Sequence, residues 1–223
     1  MELTIGEVAK LLNASEKQVN QWAQSGVIPS YGLQGELLFN RDEVIEWAAV
    51  KHVSTCIEKL DNNSASNKPQ PIFLKALKRG KVLYNVPGNS REEVLRELSQ
   101  LLPFPDDCDR ELVYRMFLAR ENCDSTGIGD GIALPHVKNP LVLHVTEPQV
   151  SIAFLKNKID FYAYDRKPVY CLFSIVSTSV KEHIQLLSHI SNVLGKREFI
   201  GLLQNRETEG KIIKFIENAE TST

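Results

Sequence analysis

Residue types that could handle a phosphoryl group lie close together in the segment 120–136, which reads RENCDSTGIGDGIALPH. His136 follows a glycine-rich turn and a short apolar run, and Arg120 lies sixteen residues before it. Glycine lets a backbone approach an anion closely, the arginine guanidinium matches the geometry of a phosphate, and a neutral imidazole can act as a nucleophile. This combination indicates a histidine that accepts a phosphoryl group and hands it on.

A phosphohistidine relay depends on positioning and charge stabilisation more than on covalent chemistry by other residues. We expect Arg120 to make a charge-assisted contact with the phosphoryl group, worth about 1.5–3 kcal/mol. The Thr126 hydroxyl is a further expected donor. The phosphate-binding backbone N–H groups are predicted to be those of Thr126, Gly127, Ile128 and Gly129.

The glycines do not fit two other common types of site. A P-loop needs a lysine followed by serine or threonine after its last glycine, and a nucleophile elbow needs a serine between glycines. The segment has neither pattern. The remaining alternative is a structural histidine at a strand end, beside glycines that serve only a turn.

The segment 120–136 resembles, almost position by position, the active-site segment of type-2 IIA domains. These are the fructose/mannitol and nitrogen-regulatory phosphocarriers of the bacterial phosphoenolpyruvate phosphotransferase system (PTS). The resemblance extends over roughly residues 71–219 and implies an α/β fold with a mixed β-sheet flanked by helices. It also implies that His136 is the nucleophile and Arg120 its electrostatic stabiliser. The implied donor is the phosphohistidine of HPr or its nitrogen-branch equivalent NPr, with no cofactor and no metal.

The resemblance further implies a second histidine beside the first, in a helix that begins with a histidine–hydrophobic pair. His183 and His189 are the candidates. At about 100° per residue, His183 shares the apolar face with Leu187 and Ile190, whereas His189 points roughly 120° away. His183 also lies in the first helical turn, where the positive end of the helix dipole favours an anion. We therefore predict that His183 is an auxiliary donor to the phosphoryl oxygens.

The chain after residue 72 alternates between strand and helix patterns, as α/β layer folds do. Ser90 and Glu93 have the spacing of a capping box before a helix. The nearly all-apolar run 168–176 predicts a central buried strand. Further strands are predicted at 81–86 and 150–155, and further helices at 109–119, 181–195 and 208–217.

The first 50 residues predict a separate helical module. Thr4 and Glu7 have capping-box spacing before one helix, and Ser15 begins a second. A glycine-containing hairpin over 27–39 then precedes a third helix from about Arg41. The pattern over residues 2–50 resembles the excisionase/MerR-type helix-turn-helix with a small wing.

The second helix of that module would be the recognition helix. Charge opposes tight DNA binding, because residues 1–50 carry three basic and seven acidic residues, a formal charge of −4. Phosphate neutralisation supplies most non-specific DNA affinity. Two functions of this module therefore remain open. One is DNA binding, aided by a homodimer formed through the third helix, and the other is docking of a regulated target protein. The predicted DNA-binding residues are Ser15, Lys17, Gln18, Asn20 and Gln21.

Residues 61–71 read DNNSASNKPQP, a polar and proline-ended composition typical of linkers. We therefore predict a helix-turn-helix domain at 1–60, a linker at 61–71 and a IIA domain at 72–223. The sequence contains no apolar run of membrane-spanning length and no signal-peptide pattern, and its four cysteines form no CxxC pair. We expect a cytoplasmic protein that does not insert into a membrane.

Three functions follow from these patterns. The leading hypothesis is a regulatory phosphocarrier, in which the phosphoryl group on His136 changes partner binding or the state of the N-terminal module. One alternative is a transport component that passes phosphate to a separate IIB or permease partner. The other is a DNA-binding regulator whose IIA-like domain acts as a sensor without being phosphorylated.

Overall fold

A computed structural model describes residues 2–33, 36–50, 71–137 and 145–221. The chain divides into two compact units, Met1–Gln70 and Pro71–Thr223. Most of the predicted linker, residues 61–70, lies outside the described residues, and Pro71 is the N-cap residue of the first helix of the second unit. Within the described ranges, no helix is long and apolar enough to cross a membrane.

The described residues of the N-terminal unit, 2–33 and 36–50, form three helices and a small antiparallel sheet. The Glu7 carboxylate accepts hydrogen bonds from the N–H and hydroxyl of Thr4, at 2.8 and 2.9 Å, as the capping-box spacing predicts. Trp22 and Trp47 pack against each other with ring centroids 5.1 Å apart. The strands pair in the order β1-β3-β2. The elements are β1 (Glu2–Thr4), α1 (Ile5–Leu11), α2 (Glu16–Gln24), β2 (Tyr31–Leu33), β3 (Glu36–Asn40) and α3 (Arg41–Val50).

The C-terminal unit is a five-stranded mixed sheet flanked by helices, which confirms the predicted fold class. Its helices are α4 (Ile72–Arg79), α5 (Arg91–Leu101), α6 (Arg110–Cys123), α7 (Val180–Leu194), α8 (Arg197–Gln204) and α9 (Glu209–Thr221). Its strands are β4 (Val82–Val86), β5 (Gly127–Gly129), β6 (Ile132–Ala133), β7 (Gln149–Ile159) and β8 (Val169–Val176).

The sheet has the strand order β4-β7-β8-β6-β5. β7 and β8 are antiparallel and form its long centre, with Ile152 opposite Phe173. β4 runs parallel to β7, and β6 runs parallel to β8. All eight residues of β8 are buried, as expected for a strand covered on both faces. Because β6 and β8 are parallel, the chain leaves β6 at the same end of the sheet as it leaves β8.

Several elements differ from the sequence-based expectation. Helix α6 extends to Cys123, four residues beyond its predicted end, so Arg120 is a helical residue. Helix α4 was not predicted, because the group that caps it is remote: the Glu220 carboxylate accepts from the N–H groups of Phe73 and Leu74 at 3.1 and 2.9 Å. The short strands β1, β5 and β6 were also missed, since two or three residues carry no readable period. Helix α8 was missed as well.

Candidate phosphoryl-transfer site

His136 follows β6, a buried strand that lies between β8 and β5 in the sheet. β6 pairs with β8 through Ile132 and Cys171, and the parallel pairing continues to a bridge between His136 and Ile175. The N–H of Ile175 donates to the Pro135 carbonyl at 3.1 Å. His136 itself is only 3% exposed. Because the backbone on both sides of the ring is tied to a central strand, the imidazole has a fixed position.

The hydrogen bonds of the His136 ring define which nitrogen bears the proton. Nδ1 lies 2.8 Å from the carbonyl oxygen of Leu134, which can only accept, so Nδ1 carries the hydrogen. Arg120 Nε, which can only donate, lies 3.0 Å from Nε2. Nε2 therefore presents its lone pair toward the Arg120 guanidinium. The ring is therefore a neutral imidazole whose Nε2 carries the lone pair.

Arg120 reaches His136 from the last turns of α6. Its Nη1 donates to the carbonyl of Asp124 at 2.9 Å, one residue past the helix end. The guanidinium therefore bridges the end of the helix and the ring of His136. A cation held beside Nε2 is suited to stabilise negative charge on a group attached there.

The structure brings His183 against His136 and places His189 elsewhere. The ring centroids of His136 and His183 are 4.7 Å apart, and the backbone N–H of His183 donates at 3.0 Å to the carbonyl of Ser179, the N-cap residue of α7. His189 Nδ1 instead lies 2.7 Å from Glu220 Oε1. The two histidines of α7 thus face different surroundings, in the way helical phase separates positions six residues apart.

The predicted phosphate-binding residues 126–129 comprise β5 and the residue before it, and three of their donors already have partners. The Thr126 N–H lies 3.2 and 3.3 Å from the two oxygens of Glu121, and the Thr126 hydroxyl donates to the same carboxylate. The Gly127 N–H donates to Ser125 Oγ at 3.0 Å. Gly127 and Gly129 belong to β5, with Ile128 between them, opposite β6. Binding of phosphate by these four residues stays a prediction.

The turn between β5 and β6 needs its glycines. Gly129, Asp130 and Gly131 have φ values of +102°, +51° and +75°, a region that favours glycine. A Cβ at Gly131 would lie 2.6 Å from the Tyr170 ring. Asp165 accepts from the Asp130 N–H at 2.8 Å and braces the turn from the β7–β8 loop. These constraints fix the chain that leads to His136.

Sequence reasoning missed Glu121 and Arg91. Glu121 is 2% exposed at the end of α6, and burial raises the pKa of its carboxyl, against the opposing effects of Thr126, Arg91 and Arg120. Arg91 Nη1 lies 3.9 Å from Glu121 Oε1, and Nη2 donates to Asn122 at 3.2 Å. A signal for Glu121 was present, because it is a charged residue directly beside Arg120. Arg91 gave no such signal, since 29 residues of chain separate it from Arg120.

Most predicted DNA-binding residues lie on the exposed face of α2. Ser15, Lys17, Gln18 and Gln21 are exposed, and Asn20 is half-buried. The Ser15 hydroxyl also accepts from the Gln18 N–H at 3.3 Å, so it is the N-cap of α2. The role of α2 as a recognition helix and the contact of these residues with DNA both stay predictions.

Comparisons with known proteins agree with the two-unit description. Residues 2–50 match the sequence model of a helix-turn-helix domain. The nitrogen regulatory protein of Pseudomonas aeruginosa is 29% identical over 140 residues, which are 61% of this chain and 89% of that protein. The fructose-specific EIIABC component of Bacillus subtilis is 31% identical over 135 residues, 59% of this chain but only 21% of that longer protein.

A solved structure shares the fold of the C-terminal unit. The crystal structure of nitrogen regulatory protein IIA-Ntr from Neisseria meningitidis superposes with a TM-score of 0.56 at 22% identity, covering 64% of this chain and 97% of that one. The sequence model described as phosphoenolpyruvate-dependent sugar phosphotransferase system, EIIA 2, matches residues 75–219, well over half of the chain. The chain therefore belongs to the type-2 EIIA family of the PTS and carries a helix-turn-helix domain at its N-terminus.

Proposed function

We propose that this protein is a regulatory phosphocarrier of the PTS, which accepts a phosphoryl group on Nε2 of His136 from a phosphohistidine donor of the HPr or NPr type. The observation that supports this most is the ring geometry. The Leu134 carbonyl keeps the proton on Nδ1, and Nε2 faces Arg120 with its lone pair.

Transfer in this proposal exchanges one phosphorus–nitrogen bond for another. The donor ring, with the phosphoryl group on one nitrogen and a proton on the other, starts with a positive charge. Nε2 of His136 attacks the phosphorus as the phosphorus–nitrogen bond to that ring breaks, and the donor leaves as a neutral imidazole. The accepting ring gains positive charge, which the hydrogen bond from Nδ1 to the Leu134 carbonyl stabilises. No proton has to move to or from solvent. Catalysis then consists of alignment and charge stabilisation.

Arg120 and His183 are proposed to bind the phosphoryl oxygens. Once Nε2 is bonded to phosphorus it can no longer accept from Arg120 Nε, so that N–H can donate to the new oxygens instead. The His183 ring is adjacent to that position, 4.7 Å from the His136 ring between centroids. A protonated or neutral imidazole there supplies an N–H donor.

Regulation is favoured over direct transport because the same chain carries a helix-turn-helix domain. A phosphoryl group adds about −1.5 to −2 charges, which is enough to change a docking surface. We propose DNA binding by α2 as the output, with docking of a target protein as the alternative. The similarity to a fructose-specific component keeps phosphate delivery to a IIB partner as the second candidate function.

The deciding experiment is phosphorylation of the purified protein with phosphoenolpyruvate and the general phosphotransfer proteins, followed by intact mass spectrometry. We expect one acid-labile phosphoryl adduct on the native protein and none on His136→Ala. His189→Ala is the matched control. The His189 ring contacts Glu220, away from His136, so we expect this variant to be phosphorylated normally. An absent adduct on the native protein would favour the non-phosphorylated sensor, and an adduct on H136A would move the acceptor to another residue.

A further inference from the structure

Glu121 occupies a position where a carboxylate is costly. It is 2% exposed and lies in the last turn of α6, where the helix dipole is negative. Burial of an ionisable group and proximity to that helix end both oppose its negative charge. A neutral side chain of the same shape would avoid this cost. The charge therefore calls for an explanation beyond packing.

The Glu121 carboxylate joins three parts of the site. It accepts the N–H of Thr126 at 3.2 and 3.3 Å and also the Thr126 hydroxyl. Arg91, from the first turn of α5, lies 3.9 Å from it with a side chain that is 15% exposed. The carboxylate thus connects the end of α6, the loop before β5 and the start of α5.

Arg120, the residue before Glu121, holds the same loop at a second point. Its Nη1 donates to the Asp124 carbonyl at 2.9 Å, while its Nε donates to His136. The loop is therefore fixed at Asp124 by Arg120 and at Thr126 by Glu121. A shift of Thr126 displaces the Asp124 carbonyl and, through it, the guanidinium that faces Nε2.

We propose that Glu121 is a positioning residue of the phosphoryl site, which holds Arg120 against His136 by fixing Thr126, with Arg91 as its counter-charge. The proposal concerns the site named under the proposed function and rests on it for its catalytic meaning. It has one consequence of its own. Thr126 influences phosphoryl transfer through Glu121 and makes no direct contact with the phosphoryl group.

The first test needs no phosphoryl transfer. Nitrogen-15 NMR of the imidazoles, with His136 assigned through H136A, reports the hydrogen bond on Nε2. We expect Glu121→Gln and Thr126→Val to shift the Nε2 resonance, and Thr126→Ser to keep the native value because it retains the hydroxyl. Glu7→Gln is the matched control, since Glu7 accepts the same two donors from Thr4 at 2.8 and 2.9 Å in the other unit.

The second test measures the rate of transfer from the phosphohistidine donor. We expect E121Q and T126V each to slow the maximal rate by roughly tenfold to a hundredfold, with an unchanged KM for the donor protein. The double variant should be no slower than the slower single variant, because both changes break one interaction. E7Q should transfer at the native rate, and T126S should be faster than T126V because it retains the hydroxyl.

The outcomes separate this proposal from the proposed function. A native Nε2 resonance in E121Q, or single-variant effects that multiply in the double variant, would overturn the positioning role and favour direct phosphate binding by Thr126. Absence of any adduct on the native protein would overturn the phosphocarrier function, and the NMR comparison would still decide whether Glu121 holds Arg120. If E121Q does not fold, T126V and T126S make the same distinction.

Discussion

Arg120 and Glu121 are neighbours in the sequence, yet their side chains leave α6 toward different partners. Arg120 contacts His136, and Glu121 contacts Thr126. Both groups are charged, and only Glu121 is fully buried. A buried carboxylate that is retained at a cost in stability is typical of functional sites.

The raised pKa of the Glu121 carboxyl makes a prediction about stability and pH. Since burial raises its pKa in the folded state above the ordinary value of 4.5, the folded protein holds this proton more tightly than the unfolded chain. The native protein therefore loses stability as the pH rises from about 4.5 through the raised pKa. E121Q lacks this loss, because its amide does not ionise.

We expect the melting temperature of E121Q, relative to that of the native protein, to increase as the pH is raised across this window. Glu217→Gln serves as the control, because it removes a carboxylate from an exposed position of α9. Thermal melts followed by circular dichroism at a series of pH values measure both differences. A difference between E121Q and the native protein that is constant with pH, as for E217Q, contradicts the prediction.

At the scale of the elements, Glu220 connects three helices of the C-terminal unit. From α9 it accepts the first N–H groups of α4, at Phe73 and Leu74, and it contacts His189 of α7 at 2.7 Å. Free N–H groups at a helix start need an acceptor, and the side chain of the N-cap residue Pro71 provides none. The cap of α4 is thus a tertiary contact across nearly the whole unit.

Glu220→Ala is therefore expected to destabilise the C-terminal unit by about 1–3 kcal/mol, because buried donors lose their acceptor. Glu217→Ala, an exposed change in the same helix, should have a much smaller effect. Both tryptophans, Trp22 and Trp47, lie in the N-terminal unit, so tryptophan fluorescence follows that unit and circular dichroism follows the whole chain. Denaturant unfolding with both signals should show the loss in circular dichroism alone; a shift of the fluorescence transition would contradict it.

At the scale of the whole molecule, charge limits what the N-terminal unit can do. Its first 50 residues carry a formal charge of −4, and the exposed face of α2 is mostly amides with one lysine, Lys17. Amide side chains read base edges, whereas cationic side chains neutralise phosphates. Any DNA binding is therefore expected to be weak, with a small dependence on salt.

Gel shifts on genomic fragments, with unphosphorylated and phosphorylated protein, test this expectation. We expect weak complexes with a small dependence on salt, whose amount changes on phosphorylation. Lys17→Ala should reduce by about one the slope of the logarithm of the binding constant against the logarithm of the salt concentration, since one phosphate contact is lost. Lys10→Ala, on α1, is the control and should leave the slope unchanged. Failure of every fragment to bind in both states would leave protein docking as the duty of this unit.

The domain boundaries are also a proposal at this scale. We propose a helix-turn-helix domain at 1–60, a linker at 61–71 and a IIA domain at 72–223. The division of the compact units at Gln70 and Pro71 supports the second boundary. The capping of α4 by Glu220 places the start of that helix within the C-terminal unit.

The sequence by itself determined the reacting residue types, their order and the two families of domain. Those signals are local: the glycine-rich segment, the spacing of the caps and the helical phase that separates His183 from His189 lie within a few turns of chain. Even the missed extension of α6 to Cys123 is a matter of a helix boundary, which sequence periodicity places poorly.

Only the tertiary structure decided how those residues are used. The tautomer of His136 depends on an arginine from another element, and the donors of Thr126, which the sequence assigned to phosphate, are directed at Glu121. The cap of α4 comes from a residue nearly 150 positions away. The physical reason is the same in each case. A hydrogen bond is satisfied by whichever group lies nearest in space, and sequence spacing does not specify that group once the chain has folded back on itself.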